Sequence, residues 1–311
     1  MEDTTKSNNV NKKFILQEQV DINILKEQRR EQVRLSFKRF FGNRLAVIGG
    51  AIVLLVIIIA LFASVFSAYD PYEMSPMEAR AELSRAHPMG TDEFGRDYMS
   101  RVFYGARISI QVGLISTSVA TLFGILIGGI AGFYGKMVDI VLMRIMDAVL
   151  SFPTILLAIV LVAILGPSVF NAMLAIGIIY IPISARVVRS AVLANKEADY
   201  IEAARAVGKS NFRILFVELL PNCLSPIIVQ ATVTFADAII IEAGLSFLGL
   251  SAQPPIASWG KMLNEAMEFM RTTPYLAIFP GAAISLTVLG FNLLGDGLRD
   301  VLDPRLRRGG L

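Results

Sequence analysis

Asp199-Tyr-Ile-Glu-Ala-Ala-Arg-Ala-Val-Gly208 lies between two hydrophobic stretches, each long enough to cross a bilayer. Its spacing predicts a short helix, with Asp199 as N-cap and Glu202, three residues on, as its reciprocal partner in a capping box. Ala203, Ala204 and Ala206 favour helix and leave a nearly smooth surface. Gly208 supplies the left-handed conformation that ends such a helix. A second short apolar helix, about Phe212 to Leu220, is expected to stop at Pro221. A connector between membrane spans has no need of this order. A small-residue helix, a glycine and a second helix make a shape built to fit into another molecule.

The 311-residue chain is 54% hydrophobic and has a mean hydropathy of +0.59, which belongs to an integral membrane protein rather than a soluble domain. A span needs roughly 20 largely apolar residues. Six stretches qualify: Leu45–Phe66, Ile108–Phe133, Met143–Leu165, Phe170–Leu193, Ser225–Leu248 and Tyr275–Leu294. The predicted fold class is an all-α membrane protein with about six transmembrane helices. The first apolar run follows a long charged tail and exceeds the apolar core of a signal peptide, so it reads as a retained span.

Lys and Arg set the orientation. Ten lie at or before Arg44, six between Arg186 and Arg213, and four after Leu298. Lys136 and Arg144 flank the connection between the second and third spans. The opposite side holds seven: Arg80, Arg85, Arg96, Arg101, Arg107, Lys261 and Arg271. Both termini and the Asp199–Gly208 element are therefore expected on the cytoplasmic side of a cell membrane. The net charge of +3 reflects this topology; no basic patch interleaved with aromatics points to nucleic acid. Cys223 is the only cysteine, which rules out a disulfide within the chain.

The predicted organisation follows the chain. Residues 1–36 form a cytoplasmic tail, with Lys26–Arg34 reading as a solvated helix. Residues 37–44 alternate aromatics with cations, as an interfacial elbow or as plain positive-inside anchoring. Residues 45–68 make the first span, 69–107 an extracytoplasmic loop, 108–298 the transmembrane core with short cytoplasmic helices at 196–220, and 299–311 a cytoplasmic tail. Gly124, Gly128 and Gly132 form a row along which another helix can approach closely. Arg144 and Asp147, three apart, are placed to pair, and Ser151-Phe-Pro153 is expected to kink the third span. Asp237 and Glu242 fall within the fifth span. A carboxylate there lines a pathway or gate, or is hydrogen-bonded inside the bundle. In the outer segments, Asp92 and Arg96, and Asp97 and Arg101, have the four-residue spacing of self-paired helical turns. Asp92, Arg96, Asp97 and Trp259 are candidate contacts for a soluble partner; the alternative is that both segments are structural connectors.

No catalytic, cofactor-binding or metal-ligating residue is predicted. The chain lacks Gly-x-x-x-x-Gly-Lys-Ser/Thr, so it has no phosphate-cradling loop of that kind. His87 is the sole histidine, which leaves no Cys/His metal cluster and no setting for a Ser–His–Asp triad. An ion-gradient-driven transporter using Asp237 or Glu242 as proton carrier remains an alternative.

Glu202-Ala-Ala204 with Gly208, followed by Leu220-Pro221, resembles the EAA loop of ATP-binding-cassette (ABC) importer permeases. Three further segments resemble the C-type permease subunit of the dipeptide/oligopeptide/nickel branch. They are His87-Pro-x-Gly-Thr-Asp-x-x-Gly-Arg-Asp97, Leu245-Ser-Phe-Leu-Gly-Leu250 with Gln253-Pro-Pro255, and Phe291-Asn-x-x-Gly-Asp-Gly-Leu-Arg-Asp300 with Leu302-Asp-Pro304. The likeness implies a type I importer permease fold with cytoplasmic EAA coupling helices in a prokaryotic cell membrane. It implies as partners a homologous second permease, two ABC ATPases that bind the ATP and Mg, an external substrate-binding protein, membrane lipid and a peptide substrate. Nickel or glutathione is the alternative cargo within the family. Glu202 would contact an ATPase, Ala203 and Ala204 would permit close approach, Gly208 would set the bend, and Leu220 and Pro221 would close the motif. Glu218 departs from the pattern, which places an aliphatic residue there.

Overall fold

The computed structural model describes Arg34 and residues 38–302. Apart from Arg34, the predicted tail 1–36 with its helix at Lys26–Arg34 lies outside the described residues. So do the start of the elbow and everything after Leu302, including the last part of the Leu302-Asp-Pro304 motif. Among the described residues the regular elements are helices, with one isolated antiparallel bridge between Thr91 and Asp97.

Residues 38–42 form a helical turn broken at Asn43. The Asn43 side chain accepts from the backbone N–H groups of Leu45 and Ala46 and so starts α1, Arg44–Leu61. The Asn43 amide also donates to Asp300 at 3.0 Å, fastening the start of α1 to the end of α9, Tyr275–Leu302. The two helices cross at small residues: a Cβ on Gly49 would lie 2.5 Å from the Leu294 nitrogen, and one on Gly297 would lie 2.4 Å from the Ala46 Cβ.

Helix α2, Tyr98–Tyr134, is 37 residues long, or about 55 Å at the usual rise. It starts ten residues before the predicted span because Asp97 caps it, accepting from the Ser100 N–H at 2.8 Å. The glycine row expected to admit a neighbour does so. A Cβ at Gly124 would meet the Ser184 Cβ at 2.5 Å, and one at Gly128 the Ala185 carbonyl oxygen at 2.2 Å. Both belong to α5, Val169–Asn195, which packs along α2. The Ser116 hydroxyl seals the contact by donating to the Met173 carbonyl at 2.8 Å.

The kink expected at Ser151–Pro153 in the third span is present and sharp: α3 over Lys136–Leu150 and α4 over Thr154–Leu165 are bent by 89° across it, and the helix begins before the expected Met143. Pro153 has no N–H for the helix ladder, and its ring excludes the α conformation from Phe152. The twelve residues of α4 reach about 18 Å, too short to cross the roughly 30 Å hydrocarbon core alone.

After α5 comes α6, Asp199–Ala206. The second short helix does not stop at Pro221, as expected, but runs through a π-helical stretch, Ile214–Leu219, and a 3₁₀ turn, Leu220–Cys223, into α7, Leu224–Phe247. Pro221 removes one ladder hydrogen bond, and the chain absorbs the loss by changing helical pitch rather than by ending. Helix α8, Trp259–Met267, packs on α7 and α9 at the end of the bundle opposite α6. Among the described residues five helices are long and apolar enough to cross a membrane, six if the bent α3–α4 pair counts as one span.

Candidate functional site

Helix α6 rests on the bundle through one face. Ile201 and Ala204 are buried with Val188 and Val192 of α5, Phe133 of α2, and Ile214, Leu219 and Leu220 of the following helix. Glu202, Ala203, Arg205, Ala206, Val207 and Gly208 face outward. Two expectations change here. Asp199 is the first helical residue rather than the cap, and no side chain caps this helix; Asp199 and Glu202 stand in its first turn, where carboxylates favour the positive end of the dipole. Ala204 admits the chain's own bundle, so only Ala203 of the pair is open to a partner. Leu220 is buried and Pro221 exposed.

The turn is closed as the glycine predicted. Gly208 has φ +76°; its N–H donates to the Arg205 carbonyl at 2.9 Å, and the Lys209 N–H to that of Ala204 at 3.1 Å. This double closure is a Schellman motif. Ser210 then caps the next helix. Glu218, the departure from the family pattern, is explained by a partner that sequence reading missed: Lys209 Nζ lies 2.5 Å from its carboxylate. The exposed end carries Val207 and Phe212, both at least 70% exposed, with Phe212 against Phe216 at a centroid distance of 4.6 Å.

Helices α3 and α5 are joined by ions. Arg189 makes a two-pronged pair with Asp139, and Arg186 reaches Asp147 at 2.6 Å. The expected Arg144–Asp147 pair is therefore replaced, because α5 packs beside α3 and brings Arg186 to Asp147. The signal for these pairs was available: acidic side chains in an apolar helix need cations from somewhere.

Asp237 and Glu242 separate. Glu242 is fully buried and accepts from the Ser251 hydroxyl at 3.1 Å, within a knot where the Ser246 and Ser258 hydroxyls lie 2.6 Å apart. It ties α7 to the segment leading to α8 and faces no open space in this conformation. Asp237 is partly buried, with Tyr180 of α5 nearby.

The four outer candidates are all buried, at 2 to 3% exposure. They brace the lobe at the end of the bundle opposite α6, and their side chains face inward there, where the docking expectation had them exposed. Asp92 accepts from Arg96 Nε at 2.5 Å and lies 3.3 Å from Arg101 Nε. Arg101 also reaches Glu265 of α8 at 3.4 Å. The expected Asp97–Arg101 pair does not form: Asp97 caps α2 and takes His87 Nδ1 at 2.9 Å. The Asp92–Arg96 pair closes a turn rather than a helix. Trp259 donates to the Val102 carbonyl at 2.9 Å. Burial, with the nearby Glu265 and Asp92 carboxylates, pushes the half-buried Glu93 above the ordinary carboxylate range.

These features define a polytopic helical permease, with a rigid exposed joint at one end of its bundle and an ion-paired lobe at the other. The chain belongs to the family of binding-protein-dependent transport system inner membrane components, whose model matches residues 124–308. Residues 31–88 match the N-terminal transmembrane domain of oligopeptide transport permease C. The chain is 48% identical, over 88% of its length and 90% of the relative's, to a dipeptide transport system permease of Alkalihalophilus pseudofirmus. It is 45% identical to that of Escherichia coli K12 (88% of this chain, 92% of the relative). A glutathione transport system permease of Pectobacterium atrosepticum is 46% identical over 87% of this chain and 90% of its own. In fold the chain is similar to the inward-facing MetNI methionine ABC transporter, with a TM-score of 0.54 at 20% identity, covering 66% of this chain and 98% of that one. The chain is thus a multi-pass membrane permease subunit of an ABC importer.

Proposed function

We propose that this chain is the C-type permease of an ATP-driven importer of short peptides, and that α6 with the Gly208 turn is where it receives the work of ATPase subunits. The observation that carries the reading is the exposed, self-braced joint: a helix seated on the bundle through Ile201 and Ala204, closed at Gly208 and cross-tied by Lys209 and Glu218. A partner moving Glu202 and Ala203 moves the ends of α2 and α5 as one body, which suits a rigid coupling element. ATP and Mg belong to two partner ATPases, a homologous second permease completes the pathway, and an external binding protein delivers cargo.

The substrate class follows from relatives named for dipeptides and for glutathione, itself a tripeptide. Nickel is disfavoured, since the one histidine is held by Asp97. The count of Lys and Arg supports cytoplasmic termini and a cytoplasmic joint.

The test is purification of the chain with its chromosomal neighbours, followed by reconstitution into proteoliposomes. Dipeptide uptake that needs ATP and the ATPase subunits is expected. Uptake by this polypeptide alone, abolished by an uncoupler, would establish the ion-gradient alternative instead.

A further inference from the structure

Asp237 stands near the middle of α7. Among the described residues the ion pairs lie in the outer lobe, between α3 and α5, and at the Gly208 turn, and none includes Asp237. A partly buried carboxylate at mid-span does not face hydrocarbon; such groups face a bundle interior or a water-filled cavity. Its own helix says which. Pro226, Gln230, Val233, Ile240 and Gly244 lie on its open side at helical spacing, and none of them is buried, whereas Thr234 at the other edge of that face, and Ile227, Ala238, Ile239 and Glu242 beyond it, are. Toward the α6 end this open stripe runs into a cavity of about 440 Å³ lined by Pro226, Gln230 and Val233 with Val187 of α5 and Arg299 of α9. Asp237 lies two turns beyond Gln230, about 10 Å along the helix.

We propose that this stripe is a wall of the translocation pathway, and that Asp237 takes the α-ammonium group of a peptide in transit. The inference rests on the peptide-importer reading above and names the contact within it. A peptide with a free N-terminus carries the counter-charge that the chain leaves out at this depth. Asp237 is a binding residue here.

The experiment uses the complete complex in proteoliposomes. Asp237→Asn should co-purify with its partners, yet take up a labelled free-amino dipeptide about 10- to 100-fold more slowly, the range for loss of a charged hydrogen bond. Asp237→Glu should restore most of the rate. Because the only native cysteine, Cys223, is buried, Asp237→Cys gives a second readout. It should react with a charged, membrane-impermeant thiol reagent, and saturating dipeptide should slow that reaction. Loss of assembly in Asp237→Asn would assign the carboxylate to a cation of a partner subunit and overturn the inference, as would an unreactive Asp237→Cys. Wild-type uptake that Asp237→Asn leaves unchanged sinks this inference alone. A wild-type complex that imports no dipeptide sinks the function reading and the ligand together.

Discussion

Lys209 and Glu218, nine residues apart, meet at 2.5 Å across the Gly208 turn. The pair spans the corner between α6 and the helix that continues into α7, so it braces the angle at which the two meet. Both side chains are about a third exposed, and such pairs contribute only about 0.2–1 kcal/mol. Glu218→Gln should therefore barely move the melting temperature of the complex while lowering transport per ATP hydrolysed. A double-mutant cycle with Lys209→Met, measured on that ratio, should show coupling; additive effects would remove the pair from the joint.

Gly208 gives a sharper test, because a Cβ there would meet no neighbouring atom within 4 Å. Any cost of substitution is conformational rather than steric. A residue at φ +76° costs about 1–2 kcal/mol unless it is glycine or, more mildly, asparagine. The expected order of coupled transport is Gly, Asn, Ala, Val, with Val worst because it is β-branched. Equal activity of the Val variant and wild type in ATP-driven uptake would contradict a role for the turn.

These two residues also mark what could be read from sequence. Gly208 was legible because a left-handed helix end is a local demand met by one residue type. Glu218 read as an irregularity because its partner is fixed only when the turn closes. The same holds in the outer lobe. Four-residue spacing nominated Asp97 for Arg101, but the unsatisfied N–H groups at the start of α2 claimed Asp97 first, and Arg101 turned to Asp92 and Glu265. Apolar runs gave α1, α5 and α9 within a few residues of their starts, since side-chain caps such as Asn43 and Ser168 are local too. Pro153 announced a break, but the 89° angle depends on what α4 packs against, which no local pattern carries.

The α2–α5 contact predicts a contrast between adjacent glycines. A Cβ at Gly128 would sit 2.2 Å from the Ala185 carbonyl oxygen, a backbone atom that cannot give way, whereas at Gly129 the nearest atoms are Leu side chains at 3.8 Å. Gly128→Ala should cost about 1–3 kcal/mol by overpacking and reduce recovery of folded complex. Gly129→Ala should be neutral or slightly stabilising, since alanine is the better helix former. Thermal denaturation in detergent compares them directly.

Glu242 is expected to behave as a tie rather than a gate. Glu242→Gln keeps an oxygen for the Ser251 hydroxyl and should transport close to wild type. Glu242→Ala strands that hydroxyl in a buried site, which costs about 1–3 kcal/mol, and should lower the melting temperature before it touches transport kinetics. A Glu242→Gln complex that is stable but dead would return the residue to the pathway.

In the outer lobe, the two carboxylates around Arg101 should differ sharply. Asp92 is buried and accepts from two backbone N–H groups, of Phe94 and Arg96, as well as from Arg96 Nε. Its replacement by Asn leaves Arg96 and Arg101 side by side with half their compensation gone, and breaking a buried pair in this way costs about 3–5 kcal/mol. Glu265 is 19% exposed and meets Arg101 at 3.4 Å, so water replaces part of what Glu265→Gln removes and about 1 kcal/mol is expected. Limited proteolysis of the segment between Ser67 and Asp97 in the purified complex reads the difference. Asp92→Asn should be cut readily and Glu265→Gln should resist like wild type; equal protection of both would mean that the apolar contacts of Tyr98, Val102, Trp259 and Met262 hold the lobe without the ions.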